Sequence, residues 1–359
     1  MAVFTETSGV AESVYGKAQA PIRLFIESKN NELGKKSSLP KIFKMDKSTH
    51  FGEMRTGMTA MTGFRPVGEN AAAPEDTMSE GYSSILKNIT WKDEFAISRE
   101  MVEDSLLIDF NKRPLAFVEG YHRAREQLGA NLLGGAIKNA DLTTDAGKKI
   151  TINSIDFSTL SADGKNLFAK AHPSKAATSV TQCNSFTDAF SYDALCAMEC
   201  EMQNFRGDNN DILGVVPDTI VIPNIGSLKK KVFAAIGADK DPETANNGFN
   251  FQFGRWTVVI WPFLNQYITA GTEPWILLSS TYNNSYDGLV FQDRTDLDVR
   301  SYINDSTDAN IWHGFSRFTA GFHDWRAVCC GGVAAGKGNT LITTSTTTDT
   351  SGGGSGSGT

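Results

Sequence analysis

Residues 85–98 read ILKNITWKDEFAIS; Ile89, Trp91, Phe95 and Ile97 share one parity, and Asn88, Thr90, Lys92 and Glu94 the other. A period of two held over this length demands an extended strand with one face covered. Upstream, HFGEMRTGMTAMTGF (50–64) repeats the pattern more weakly, with Met54, Met58, Ala60 and Phe64 in phase. Between them lies RPVGENAAAPEDTMSEG, a stretch punctuated by Gly and Pro that reads as a turn-rich tip. The pairing predicts one long two-stranded hairpin within residues 49–98. A solitary hairpin of that kind is marginal in water, so something must cover it.

The flanking segments set its context. Residues 1–48 mix Gly, Lys, Ser and Asn with short apolar patches such as PIRLFIES, and are predicted as an extended arm with one short helix. After the hairpin, Ser98 supplies an N-cap for a helical segment through REMVEDSLLIDFNK, and Pro114 opens a second helix reaching Gly135, roughly 33 Å long. Along it Leu115, Val118, Tyr121, Leu128 and Leu132 follow one face, which Arg125 interrupts. A linker (NADLTTDAGKK) and GKNLFAKAHPSK lead into an α/β region over 185–280. There Ser191 caps a helix carrying Leu195, Met198, Met202 and Phe205. DTIVIP, RWTVVIW and PWILLSS read as buried strands, with a helix over 225–236 between the first two. Residues 281–332 return to strands: Leu297, Val299 and Ile303 alternate with Asp298, Arg300 and Asn304, and Trp312, Phe315, Phe318, Phe322 and Trp325 crowd the next strand. Residues 333–359 are predicted to be a disordered Gly/Ser/Thr-rich tail. The fold class expected is α+β.

Composition removes several function classes. With 34 Lys and Arg against 41 Asp and Glu, the formal charge of −7 argues against a broad phosphate-neutralising face. Five cysteines, Cys183, Cys196, Cys200, Cys329 and Cys330, form no CxxC pair and fit neither a disulfide framework nor a zinc ribbon, which points to synthesis in a reducing cytosol. The amino terminus lacks the pattern of a secretory signal, and the longest apolar run, WTVVIWPFL, is half of the ~18 residues a membrane helix needs. The expectation is a soluble protein with no membrane partner.

Each motif that could carry chemistry fails on a required part. In CCGGVAAGKGNT, Gly331, Gly336 and Lys337 match a phosphate-binding loop, but Gly338 stands where Ser or Thr should hold magnesium, and a β-branched stretch stands where a helix should open. The stretch reads as a glycine exit from a final strand; the rival is a nucleotide-binding enzyme built on Lys337. His172 has Asp163 and Ser174 nearby but no nucleophile elbow, and reads as a structural histidine in a turn fixed by the next proline. Cys196 and Cys200, at i and i+4 beside Met198 and Met202, read as small core hydrophobes rather than half a metal site. GDNNDILG (207–214) lacks the glycine and terminal glutamate of a calcium loop and reads as a solvated turn. No catalytic, cofactor-binding or metal-binding residue is assigned, and no cofactor is expected.

The order of parts is more informative than any motif. Arm, long hairpin, long helix, compact α/β unit and returning strands, with NLFAKAHPSK, LGVVPDTIVIPN, GLVFQDRTDLDVRSYI and HDWRAV, resemble the major capsid proteins of tailed bacteriophages, in particular the Mu-type major head subunit. The likeness spans about residues 20–332. It implies the Hong Kong 97-type fold: 1–48 an N-terminal arm, 49–98 the E-loop, 99–184 a peripheral domain with its spine helix over 99–135, 185–280 the axial domain, and 281–332 the peripheral return strands. It further implies a structural protein, not an enzyme, that assembles with itself as hexamers and pentamers into an icosahedral shell. That shell encloses double-stranded DNA without sequence-specific binding, alongside portal, scaffold and decoration proteins. The chain is then expected in the virion after assembly in the bacterial cytoplasm. The short arm leaves open a separate scaffold or a chain already mature, and an encapsulin-type nanocompartment is the alternative within the fold.

Charge placement gives a finer expectation. Glu69, Glu75, Asp76 and Glu80 sit at the hairpin tip, and Lys112, Arg113, Arg123 and Arg125 lie near the long helix. The acidic tip is predicted to dock near those basic side chains on a neighbouring copy.

Overall fold

A computed structural model describes residues 19–58, 64–75, 80–98, 112–140, 147–175, 180–237, 249–268, 271–304, 306–307, 309–334 and 336–339. Two four-stranded sheets organise it. The first is built from β1 (Lys44–Lys47), β4 (Ile89–Ile97), β12 (Leu289–Asn304) and β13 (Ala309–Phe322), in the order β1-β12-β13-β4. β1 runs parallel to β12, and the long β12–β13 and β13–β4 pairs are antiparallel. The second is built from β9 (Thr219–Ile222), β10 (Thr257–Ile260), β11 (Trp275–Leu278) and β14 (Val328–Gly331), in the order β10-β9-β11-β14. Three two-stranded ribbons complete the strands: β2 (Gly52–Met58) with β3 (Glu80–Lys87), β5 (Lys149–Ile152) with β6 (Ile155–Ser158), and β7 (His172–Pro173) with β8 (Thr181–Gln182).

Six helices cover these sheets among the described residues: α1 (Gln19–Gly34), α2 (Leu39–Ile42), α3 (Lys112–Lys138), α4 (Tyr192–Gln203), α5 (Gly226–Ile236) and α6 (Ser280–Tyr286). The region over 185–280 forms as its pattern dictates. Ser191 accepts a hydrogen bond from the Ala194 amide at the start of α4, and β9, apolar after Thr219, and β11, apolar throughout, are buried on both faces. No described helix is long and apolar enough to cross a membrane.

At 27 residues and ~40 Å, α3 is the longest described helix and lies against both parts of the core. Its first half packs Phe117 and Val118 with Ile22 and Ile26 of α1 and with Ile97, Val299 and Trp312 of the first sheet. Its second half approaches other elements closely because it carries glycines. A Cβ on Gly134 would stand 2.5 Å from the Tyr267 ring, and one on Gly129 would stand 2.7 Å from Leu39. Glu126, nearly buried, accepts from Ser37 Oγ (2.6 Å), the Ser38 amide (2.8 Å) and Trp261 Nε1 (2.7 Å), which ties the middle of α3 to the start of α2 and to the 3₁₀ turn Pro262–Tyr267.

Several expectations are corrected. The most regular alternation, β4, is not part of the hairpin: it pairs with β13, while β2 pairs with β3. The switch occurs at buried Asn88, whose amide nitrogen donates to Ser48 Oγ and the His50 carbonyl and whose oxygen accepts from Gln292 Nε2. The one short helix expected in the arm is present but longer, the 16-residue α1, and it docks on α3 through Ile22 and Ile26. The Cys329–Cys330 strand, β14, joins β11 in the second sheet and not the first. Described residues of the predicted tail are held against the body at Val333, which is buried and whose amide donates to the Phe186 carbonyl, and at Asn339, whose amide donates to Asp188. The helical segment predicted over residues 99–111 lies outside the described residues.

Candidate inter-subunit interface

The β2–β3 ribbon has two unlike faces. In its register Arg55 opposes Ser84 and Glu53 opposes Leu86 on the face toward the body, while Met54 opposes Ile85 on the other. The inner face is clamped. Arg55, 8% exposed, donates from Nη1 to Asp287 Oδ2 (2.8 Å) and from Nη2 to Asp46 Oδ2 (2.6 Å), and Lys44 Nζ donates to Asp287 Oδ1 (2.5 Å). Burial pushes the Asp287 carboxyl up, but Lys44 and Arg55 outweigh it and hold the group below its ordinary value. Beside them Ser84 Oγ meets His323 Nδ1 at 2.8 Å, and burial pushes that imidazole down, so it is neutral near pH 7. Leu86 packs against Gly321, which has no room for a Cβ. At the far end of β3, Lys175 Nζ donates to the carbonyls of Glu80 (2.7 Å) and Gly81 (2.6 Å).

Among the described residues the outer face has no such cover. Met54 and Ile85 are directly opposite one another and stand 65% and 62% exposed. Nothing in the alternation marked this pair as outward; the signal was their parity relative to Arg55, a charged residue that the ribbon buries.

The predicted docking charges are distributed differently from expectation. Glu69 and Glu75 are exposed in the tip, but Glu80 belongs to strand β3, with its carbonyl held by Lys175, and Asp76 lies outside the described residues. Lys112, Arg113 and Arg123 are exposed, and Arg113 donates to the Ala96 carbonyl of its own chain (2.6 Å). Arg125 is not available to a neighbour. Its guanidinium forks onto Asp293 (2.5 and 2.7 Å), bonds Tyr121 Oη (3.1 Å), and lies 4.6 Å from the Phe291 ring centroid and 5.1 Å from that of Phe318. The residue expected to interrupt the apolar face of α3 is part of it, packing its fork over aromatic rings.

No described constellation performs chemistry. His172 is fully buried with Nδ1 on Asp163 (2.6 Å), Nε2 on Asn184 Oδ1 (3.1 Å) and its ring stacked 4.2 Å from Trp325, while Ser174 Oγ donates to the Asp208 carbonyl. A nucleophile has no place at either nitrogen. The Lys337 backbone is extended, with its amide on the Ser185 carbonyl and its carbonyl on the Thr187 amide; Gly336 is required there because a Cβ would strike the Phe186 backbone. Cys329 and Cys330 are buried and burial raises both thiols. Burial also pushes half-buried Cys196 up to about 11, whereas Cys200 is exposed and not a core residue. Asp208 of the expected solvated turn is nearly buried and paired with Arg326 at 3.0 Å. Among the described residues no cluster of His, Cys, Asp and Glu could hold a metal ion.

A family model described as phage capsid protein matches residues 82–331, well over half of the chain. The chain belongs to this phage capsid protein family. Its role is structural, as a subunit that forms a phage capsid shell, and it is not an enzyme. No curated protein matches the capsid protein. Among solved structures, the capsid of a native GTA particle is similar at 13% identity and a TM-score of 0.47, over 83% of this chain and 90% of that one. The capsid of Ralstonia phage GP4 is similar at 12% identity and a TM-score of 0.47, over 80% and 85%. The mature capsid of bacteriophage PhiM1 is similar at 11% identity and a TM-score of 0.45, over 81% and 85%.

Proposed function

We propose that this capsid protein is the major head subunit of a tailed bacteriophage, with the Hong Kong 97-type arrangement and Mu-type affinity that its quoted stretches imply. In this reading hexamers and pentamers of the chain tile an icosahedral shell around double-stranded DNA, with a portal and a scaffold as further partners. The ribbon of β2 and β3 is the E-loop, α3 the spine, and the sheet of β9, β10, β11 and β14 the centre of the axial domain.

One observation carries the reading: the ribbon is fixed at its root by buried charge yet presents the uncovered Met54–Ile85 pair on its other face. A rigid lever with an apolar face, repeated on every copy, makes a heterologous contact that closes into rings or extends into lattices. Many such contacts hold a shell without a large area at any one of them. A net charge of −7 suits a container whose cargo must leave.

Electron microscopy of the purified protein tests this directly. Wild type should form closed shells, and Met54→Asp with Ile85→Asp should leave folded subunits that do not assemble. Equal shell yield from the double variant would refute the role of this face. Particles filled with protein cargo and lacking a portal vertex would identify a nanocompartment instead.

A further inference from the structure

Between α5 and β10 the chain reads FNFQF, residues 249–253, and its burial is inverted. The two amides are inside: Asn250 is 1% exposed and Gln252 is fully buried. The three rings are outside, with Phe249 79%, Phe251 49% and Phe253 48% exposed.

The inversion is built, not incidental. Gln252 Nε2 donates to Glu199 Oε2 of α4 (2.6 Å), and its oxygen accepts from Trp256 Nε1 (2.7 Å). Glu199 is itself buried and takes Arg255 Nη2 on its other oxygen. Asn250 Nδ2 donates to the Ala235 carbonyl at the end of α5 (2.7 Å), and its oxygen accepts the Gln252 amide (2.9 Å). Shifting the stretch by one residue would bury the rings but strand these polar groups, at about 1–3 kcal/mol for each one left unpaired. The polar network therefore holds the phenylalanines in solvent.

From this inversion we propose that Phe249, Phe251 and Phe253 form a contact face for a second copy of this chain in the assembled shell. The partner follows from area. The exposed fractions correspond to about 350 Å² of ring surface, within the range of a single patch on a monomer. That is less than half of the roughly 800 Å² per partner of a stable two-body interface. The face is too small to hold a pair in solution, and it suits a subunit whose copies hold one another at several places at once. The inference rests on the shell reading above and adds a surface to it, distant in sequence from the β2–β3 ribbon.

Covalent footprinting with mass spectrometry tests it on the full chain, compared as dissociated subunits and as particles assembled from this protein alone. The three phenylalanines should be labelled in subunits and protected in particles. Phe249→Ser, Phe251→Ser and Phe253→Ser together should leave the subunit's circular dichroism unchanged, losing within the subunit the edge contact of Phe251 on the Tyr192 ring, while lowering the assembled fraction at least about tenfold. Equal labelling in particles and subunits would overturn the proposal and leave the shell reading standing. So would protection already complete in subunits, where the chain covers its own rings. If the triple variant fails to fold, the single Phe249→Ser variant keeps the test, and its unchanged assembly would overturn the proposal. Wild type that forms no particles in any ionic condition, alone or with the scaffold that the shell reading includes, would remove both readings.

Discussion

The Arg55 clamp gives the sharpest test of how the ribbon is held. Arg55→Met keeps much of the aliphatic stem and removes the fork that joins β2 to Asp46 of β1 and to Asp287 after α6. Removing one partner from a buried ion pair costs about 3–5 kcal/mol. Here the carboxylates are 39% and 28% exposed and Lys44 stays on Asp287, so solvent and lysine recover part of that and about 2 kcal/mol is expected. The loss should be local: amide hydrogen exchange in β2 and β3 should quicken about 30-fold in the unassembled subunit, with the amides of β9 and β11 unchanged. Acid should have a related effect in wild type, in two steps. Burial depresses the His323 imidazole, so as pH falls below about 6.5 the unfolded chain takes the proton first and stability declines. Nearby Asp324 and Asp287 oppose that depression and Arg55 adds to it. Asp287, also depressed, contributes fully above about pH 4, and its share is lost as pH falls through the lowered folded value. His323→Gln should remove the ribbon's share of the first step, leaving the share of His122, whose imidazole burial also depresses. Ribbon exchange that is unchanged by Arg55→Met, or quickened equally in every strand, would refute the clamp.

Three further outcomes are expected. Arg125→Ala should destabilise the subunit in urea by about 3–5 kcal/mol because it leaves Asp293 buried and unpaired, while Arg123→Ala, exposed on the same helix, should stay within about 0.5 kcal/mol. Gly134→Ala places a methyl 2.5 Å from Tyr267 and should lower stability by about 1–3 kcal/mol in the same assay. Reversal of the tip charges, Glu75→Lys with Asp76→Lys, should reduce shell yield and salt tolerance if the tip docks on a basic neighbour, which particle counts across a salt series would measure.

How much was readable in the chain depended on how local the physics was. β9, β10, β11, α4 and α5 follow from apolar runs and a serine cap, signals confined to a few consecutive residues. The ribbon was legible as paired strands with a tip, but its partner strand was not. Period-two alternation continues across Asn88, and parity says which side is covered without saying by what. Arg125 and Asp208 were read as a break and as a solvated acid because each is buried by a partner far along the chain, Asp293 and Arg326 respectively. The FNFQF inversion was invisible for the same reason: apolar residues alternate with amides there, and only Glu199, Trp256 and Ala235 decide which set goes inside.

Where β14 lies in the chain has a consequence for timing during synthesis. The sheet begun by residues 219–222 is finished by residues 328–331, and the clamp on the ribbon at residues 52–87 draws on Asp287 and His323, more than 200 residues further along. A nascent polypeptide on the ribosome holds neither its completed second sheet nor a fixed ribbon until residues 287, 323 and 328–331 have emerged. Copies translated side by side on one message therefore present no finished lever to one another until those residues are out.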